Sequence, residues 1–410
     1  MPQVCLYFQL HQPYRLRDFQ VFELGNHSGY FSHKESSSVD NHLAEKQLNE
    51  DINCAIFRKV SAKSYLPMLS LLLELVEQQP EFCFAISASG VFLEQAEAYQ
   101  PEVIELLQKL AESGQVEFLS ETYYHSLAFL YSPEEFVAQV DKHSQLIGQL
   151  FGQKPKVFRN TELIYSNQIA ESVAELGFQG MLTEAVEPYL GKRPKTQVYV
   201  SYTPSHLPLL LKHAELSDDI AFRFGDKNWQ SHPLSAKKYL HWLESYKSEE
   251  IINLFMDFET FGEHQWSDTG IFEFFRHFVY EFLQSKWNRF VTPTQIFSAI
   301  EDQHSLPAYD VPRYISWADV DRDLTAWLGN DLQKDSLRAL YELENEVLAS
   351  QDEMIIADWR CLQTSDHFYY MCTKWSADGD IHAYFSPYQD PFEAYRRYSL
   401  VLADLRERLL

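Results

Sequence analysis

Short apolar runs alternate with longer helical patterns through about residue 290, and this alternation limits the chain to few architectures. Val4–Leu10 reads as a strand, followed by a polar stretch rich in Asn, His and Ser. Tyr65–Val76, Val103–Ala111, Phe136–Phe151 and Ile169–Leu176 carry helical patterns. Between them Phe82–Ser87, Val116–Leu119, Val157–Phe158, Gly180–Thr183 and Ile251–Asp257 read as strands. Units of this kind build a parallel sheet, because parallel neighbours need a crossover, usually a helix. Polar residues follow almost every run: His11, Ser87, Glu117 and His125, Glu162, Glu184 and Asp257. An open doubly wound sheet would gather them at one crevice. Their spread over most strands favours an α/β barrel, closed or nearly so, whose loops converge on one face.

After about residue 295 the rhythm changes, and Leu332–Leu348 and Phe392–Leu409 read as amphipathic helices. The expected division is a barrel over residues 1–295 and a helical region over 296–410. No repeat or Gly/Ser linker separates the two, so the helical region should pack tightly on the barrel.

The segment Asn253–Trp266 is the richest in chemistry. Its apolar run ends in Asp257 and Glu259, two apart and so on one side of an extended strand. Acids at the carboxyl end of a buried strand are where α/β enzymes keep their chemistry, although a helix cap or solvated turn uses the same residues. Glu162 follows another strand in Phe158-Arg-Asn-Thr-Glu-Leu-Ile-Tyr165. A nearby Arg159 would keep it ionised, as a nucleophile must be; an Arg–Glu ion pair closing the rim is the plainer alternative. Two carboxylates from different strands are the minimum for glycoside hydrolysis, one protonating the leaving oxygen and one attacking the anomeric carbon. With a retaining pair the two carboxyls should stand about 5 to 6 Å apart. Burial beside Leu254, Phe255, Met256, Phe258 and Phe261 should raise the pKa of Asp257, suiting it to the acid's part. His11 and Gln12, at the end of the first strand, can reach sugar hydroxyls.

Composition excludes several classes. A net charge of −25 disfavours nucleic acid and anionic membranes as partners. Aromatics make up 15%, more than a core needs; Tyr and Trp faces suit sugar rings, and aromatic-rich packing is the competing reading. The five cysteines are scattered and never in a CxxC pair, which disfavours a disulfide framework or a zinc ribbon. No HxH or HExxH accompanies His11, and His125 and His264 stand far apart in sequence, so no metal is expected. GxGxxG, GxxxxGK[ST] and GxSxG are all missing, leaving nucleotide and serine-hydrolase chemistry without support. The sequence enters a strand at once, without a basic leader or an 18-residue apolar stretch, so a cytoplasmic protein is expected. Oligomeric state stays open.

Five blocks in order carry a resemblance. They are His11-Gln-Pro13; Gly114-Gln-Val-Glu117 running into Glu121-Thr-Tyr-Tyr-His125; Phe158-Arg-Asn-Thr-Glu162; Met256-Asp-Phe-Glu-Thr-Phe-Gly262; and Leu362-Gln-Thr-Ser-Asp-His-Phe-Tyr-Tyr370. With them the chain resembles glycoside hydrolase family 57, nearest its α-amylase-type members, over nearly its full length. The resemblance implies an incomplete (β/α)7 barrel with a C-terminal helical domain. It also implies retaining hydrolysis of α-1,4-glucans through a glycosyl-enzyme, without metal or organic cofactor. Glu162 then matches the nucleophile and Asp257 the general acid/base, while His11, Glu117, Glu259 and Asp366 match positions that hold sugar hydroxyls. Gln12, His125, Arg159, His264, Trp266, Trp327 and Tyr369 complete the candidate substrate-binding set. Trp266 reads as a sugar platform or a packing residue, and Trp317–Trp327 is rich enough in acids and indoles that Asp321, Asp323 and Trp327 read equally as sugar contacts or structural groups.

Two departures bear on specificity. The β-sandwich that several transferase members carry after the helical region is not expected, because the sequence ends soon after it. Asn160 and Tyr369 stand where some members have Trp. A 4-α-glucanotransferase or branching enzyme shares the first half-reaction. A glucan-binding or regulatory protein without catalysis is the alternative of another class, and a metal-dependent deacetylase on a related barrel lacks its metal spacing here.

Overall fold

The computed structural model describes residues 3–25, 29–31 and 51–410. Most of the polar stretch expected after the first strand lies outside the described residues. The architecture is α/β, with ten strands and many helices among the described residues. The first sheet runs β3 (Val116–Phe118), β2 (Phe84–Ala88), β1 (Gln3–Leu10) and β8 (Ile251–Asp257), with β9 (Arg289–Phe290) beside the start of β1. Every pairing in it is parallel. The second runs β10 (Ala308–Tyr309), β6 (Tyr199–Ser201), β7 (Pro208–Leu211), β5 (Gly180–Thr183) and β4 (Val157–Arg159), where only β6–β7 is antiparallel.

The sheets meet at both edges. Beyond β3, Ser120 forms a parallel bridge with Phe158 of β4. Beyond β7, the His213 amide donates to the Asn253 carbonyl of β8 at 2.8 Å, and Asn253 Nδ2 returns a bond to the Leu211 carbonyl at 2.9 Å.

Side-chain alternation sorts the core into layers. Val4, Leu6, Phe8 and Leu10 of β1 pack against helices, among them Leu66–Gln78 and Ile271–Leu283. The opposite face of β1, Cys5 and Tyr7, joins Ala85, Val157, Leu182, Leu210 and Phe255 in a second cluster, drawing on strands of both sheets. The outer face of the second sheet shares a third cluster with Trp327, Leu337, Trp359 and Tyr398 from the C-terminal helices.

The expected helices appear with shifted ends, as Pro101–Glu112, Pro133–Phe151, Asn167–Glu175 and Pro391–Arg408. The span expected as one helix over 332–348 is two, Asp331–Glu342 and Glu344–Ser350. The break at Leu343 lets Glu344 accept from the Ser132 hydroxyl while Val347 stays in the core. No helix among the described residues is long and apolar enough to cross a membrane.

Candidate active site

Past β4 the chain turns sharply. Thr161–Leu163 forms a 3-10 turn in which Glu162 and Leu163 take φ of 57° and 50°. Two successive non-glycine residues in this left-handed region store strain, which packing must hold. Asn160 helps by donating Nδ2 to the Ile164 carbonyl at 3.0 Å. The Glu162 side chain projects into a cavity of about 540 Å³ and is gripped at both oxygens. His125 Nε2 lies 3.1 Å from Oε1, and the Trp317 indole N–H donates to Oε2 at 2.7 Å. Burial alone would favour the neutral acid, but the His125 hydrogen bond and charge, with Arg159, hold the Glu162 carboxyl below its usual range.

His125 is itself braced. Its Nδ1 bonds Glu121 Oε2 at 2.9 Å, and Gln9 Nε2 donates to the other oxygen of Glu121 at 2.9 Å. Burial pulls the His125 pKa down; the bonds to Glu121 and Glu162 outweigh it and lift it to about 9. His125 is therefore an imidazolium at neutral pH, donating from both nitrogens. Stacked 3.9 Å from it, His11 has a lowered pKa because of burial and that neighbouring charge. A neutral His11 can donate Nε2–H to Asp366 at 3.0 Å while Nδ1 accepts from Ser89 at 2.7 Å. Burial opposes ionisation of Asp366, yet His11, His125 and Arg15 hold its carboxyl below the usual range.

Asp257 faces the same cavity from the end of β8. Burial first, and the Glu162 charge second, push it up to about 6, against the pull of Arg159 and Lys212. Glu259 lies in the 3-10 turn Phe258–Thr260, so its place beside Asp257 comes from that turn and not from the strand alternation expected. It accepts from the Tyr65 hydroxyl at 2.5 Å, and burial and Asp257 together raise it to about 8. The turn needs Gly262: its φ is 107°, and an added Cβ would strike the Lys63 carbonyl.

Of the residues singled out in the sequence, Glu162, Asp257, His11, Gln12, His125 and Arg159 line the cavity. So do Glu259, His264, Trp266, Trp327, Asp366 and Tyr369. Arg159 makes no ion pair with Glu162; it is fully buried and lies 5.0 Å over the Trp317 ring. His264, driven to about 4 by burial, faces Phe385 at 5.5 Å. Trp266 sits on the rim, 60% exposed, and Tyr369 stacks on His382 at 3.8 Å.

Glu117 is a correction. It lies near the start of β3, at the end of the sheet remote from the cavity, where Thr294 donates its amide at 2.9 Å and its hydroxyl at 2.5 Å. The acid of that block reaching the site is Glu121, four residues on. Asp321 and Asp323 also stay outside the cavity: Asp321 pairs with Lys374 at 2.9 Å, and Asp323 accepts from the Thr325 amide at 2.8 Å. Sequence reasoning missed Trp317, Tyr65, Asp319 and Lys212, all now at or beside the site. Trp317 and Asp319 had left a signal, in the acid- and indole-rich segment.

A sequence model described as "Glycosyl hydrolase family 57" matches residues 5–311. A Methanocaldococcus jannaschii protein named "Putative alpha-amylase" is 38% identical over 406 residues, 97% of this chain and 82% of that one. "Alpha-amylase 1" of Dictyoglomus thermophilum is 24% identical over 216 residues, and the match spans 30% of its length. Among solved structures, a branching enzyme of that family from Thermococcus kodakaraensis superposes with a TM-score of 0.70 at 14% identity, covering 100% of this chain and 90% of that one. The 4-alpha-glucanotransferase of Thermococcus litoralis gives 0.58 at 16% identity, over 97% of this chain and 55% of that one.

Proposed function

The chain belongs to glycosyl hydrolase family 57, and on that premise we propose that its cavity hydrolyses α-1,4-glucans with retention of configuration. One observation carries the reading: two carboxyls share one cavity with opposed ionisation, Glu162 held down and Asp257 pushed up to about 6. Such a pair divides into nucleophile and acid.

In the first step Asp257 gives its proton to the glycosidic oxygen while a Glu162 oxygen bonds the anomeric carbon. The bond to the leaving oxygen breaks, and the shortened glucan departs with a free hydroxyl. In the second, Asp257, now a carboxylate, takes a proton from water. That water attacks the anomeric carbon, the ester to Glu162 breaks, and both carboxyls return to their starting forms. His125 and Trp317 brace the nucleophile. His11, Gln12, Glu259 and Asp366 serve hydroxyls of the bound sugar, and Arg159, His264, Trp266, Trp327 and Tyr369 shape the cleft.

We read the strands as an incomplete (β/α)7 barrel within residues 1–295. Supporting this are the Ser120–Phe158 bridge, the Leu211–Asn253 contact and the inner cluster drawn from both sheets. Residues 296–410 form the second part, helical apart from β10, which joins the second sheet; it lends Asp366, Tyr369 and Trp327 to the cleft. A cytoplasmic location fits five cysteines that are all unpaired.

Transfer or branching is the second reading, favoured by Trp266 and Tyr384, both 60% exposed on the cavity wall, where an acceptor glucan could rest. Incubation with maltoheptaose separates these outcomes. Shorter sugars released first as the α-anomer mean retaining hydrolysis, longer ones mean transfer, and α-1,6 linkages mean branching. An unchanged substrate would sink the catalytic reading and favour a binding protein.

A further inference from the structure

Past the barrel strands the chain folds back over the turn that carries Glu162. Ile315 and Tyr165 exchange backbone hydrogen bonds of 3.0 and 2.9 Å, and the Trp317 amide donates to the Glu162 carbonyl at 3.3 Å. This pairing brings the indole to the carboxylate, where Nε1–H meets Oε2 at 2.7 Å. Two cations lie over the same ring, Arg159 at 5.0 Å and Lys212 at 5.1 Å. Both are fixed: Arg159 is fully buried, and Lys212 pairs with Asp218 at 3.1 Å. Cations over an indole draw density from the ring, which makes its N–H a stronger donor. The arrangement exceeds what packing requires, since the cations need only an aromatic face whereas the bond to Oε2 needs the indole N–H.

We propose that Trp317 is the positioning residue of the nucleophile: its polarised indole N–H fixes the plane of the Glu162 carboxylate for attack and receives the charge that returns to it when the ester breaks. The inference rests on Glu162 being the nucleophile. With Oε1 bound by His125, the carboxylate cannot rotate between attack and ester cleavage. When the ester forms, negative charge leaves Glu162; when it breaks, charge returns to an oxygen already facing a donor. The interaction therefore acts on turnover more than on glucan binding. The charged groups around Glu162 are His125, Arg159, Asp257 and Asp366, and none of them replaces an N–H at Oε2.

Trp317→Phe keeps an aromatic face beneath the cations and removes the donor together with part of the ring. The expected result is a kcat lower by on the order of tenfold to a hundredfold, with KM little changed. The acidic limb of the pH profile should move to higher pH, because a carboxylate that loses a donor is protonated more readily. Melting temperature should stay close to native. Trapping with a fluorinated α-glucosyl fluoride, which stalls at the covalent stage, separates this inference from its premise. An adduct on Glu162 that forms more slowly in Trp317→Phe supports it. An adduct on any other residue of the native protein overturns the nucleophile itself. An adduct on Glu162 at native rate, with an unmoved acidic limb, overturns the role of Trp317 alone. Should the variant melt well below native, indole 15N–1H spectra of the native enzyme decide. One resonance that titrates with the acidic limb and moves in Glu162→Gln supports the bond; no such resonance overturns it.

Discussion

His125→Gln tests whether the imidazolium between Glu121 and Glu162 stabilises the molecule by charge. The side chain is 2% exposed, and both its nitrogens end on carboxylates. Folding lifts its pKa from 6.5 to about 9, despite the opposing effect of burial. At about 1.4 kcal/mol per pH unit, that rise is worth about 3 kcal/mol. It agrees in size with the ~3–5 kcal/mol lost when one member of a buried ion pair is removed. The folded pKa lies above the unfolded one, so the stabilisation is complete below about pH 6.5, falls between there and pH 9, and is gone above. Thermal melting at a series of pH values reads this directly. At roughly 2 °C per kcal/mol, the native protein should lose about 6 °C across that window from this group. The Gln variant should melt lower at pH 6 and lack this decline. Parallel pH dependences in the two proteins would refute the argument and leave His125 as a packing residue.

Glu162→Gln should abolish turnover, by on the order of 10³-fold or more in kcat, while maltooligosaccharide binding measured by calorimetry survives; near-native activity would remove Glu162 from its role. Asp257 must be protonated to serve as the acid, so kcat/KM should hold below pH 6 and fall as pH rises through about 6. A profile flat from pH 5 to 8 would contradict that assignment. Trp266→Ala should lower kcat/KM for long glucans by roughly 1–3 kcal/mol in transition-state terms with melting unchanged, consistent with a ring 60% exposed on the rim. A large loss of melting temperature with unchanged kinetics would make it structural.

The long apolar runs made the sheet legible. Ile251–Asp257 and Gly180–Thr183 fall where the pattern puts them, because strands buried on both faces leave unbroken hydrophobic runs. Tyr199–Ser201 and Arg289–Phe290 escaped notice: two or three residues carry no periodicity, and only their sheet neighbours make them strands. The acids were visible for the same reason as the strands that deliver them. Glu117 shows the limit, since an acid on a strand is drawn to whichever end offers donors, and Thr294 supplied them at the far end. Tyr65 was illegible as a site residue because it joins the site only through its tertiary contact with Glu259, and Trp317 left no more than the composition of its segment. Tyr65 reads as one more apolar position of a helix, and Trp317 meets a carboxylate 155 residues earlier.

The bond between His11 and Asp366 joins positions 355 residues apart. Loop-closure entropy must be overcome before such a contact can form, and contacts of that span come late. Ser89 and His125 can engage His11 earlier, but its bond to Asp366 waits until the C-terminal helices have docked. Turnover is therefore a stricter reporter of a finished chain than helical content. In refolding, circular dichroism should recover ahead of glucan cleavage, and the lag between them times the docking of the C-terminal helices.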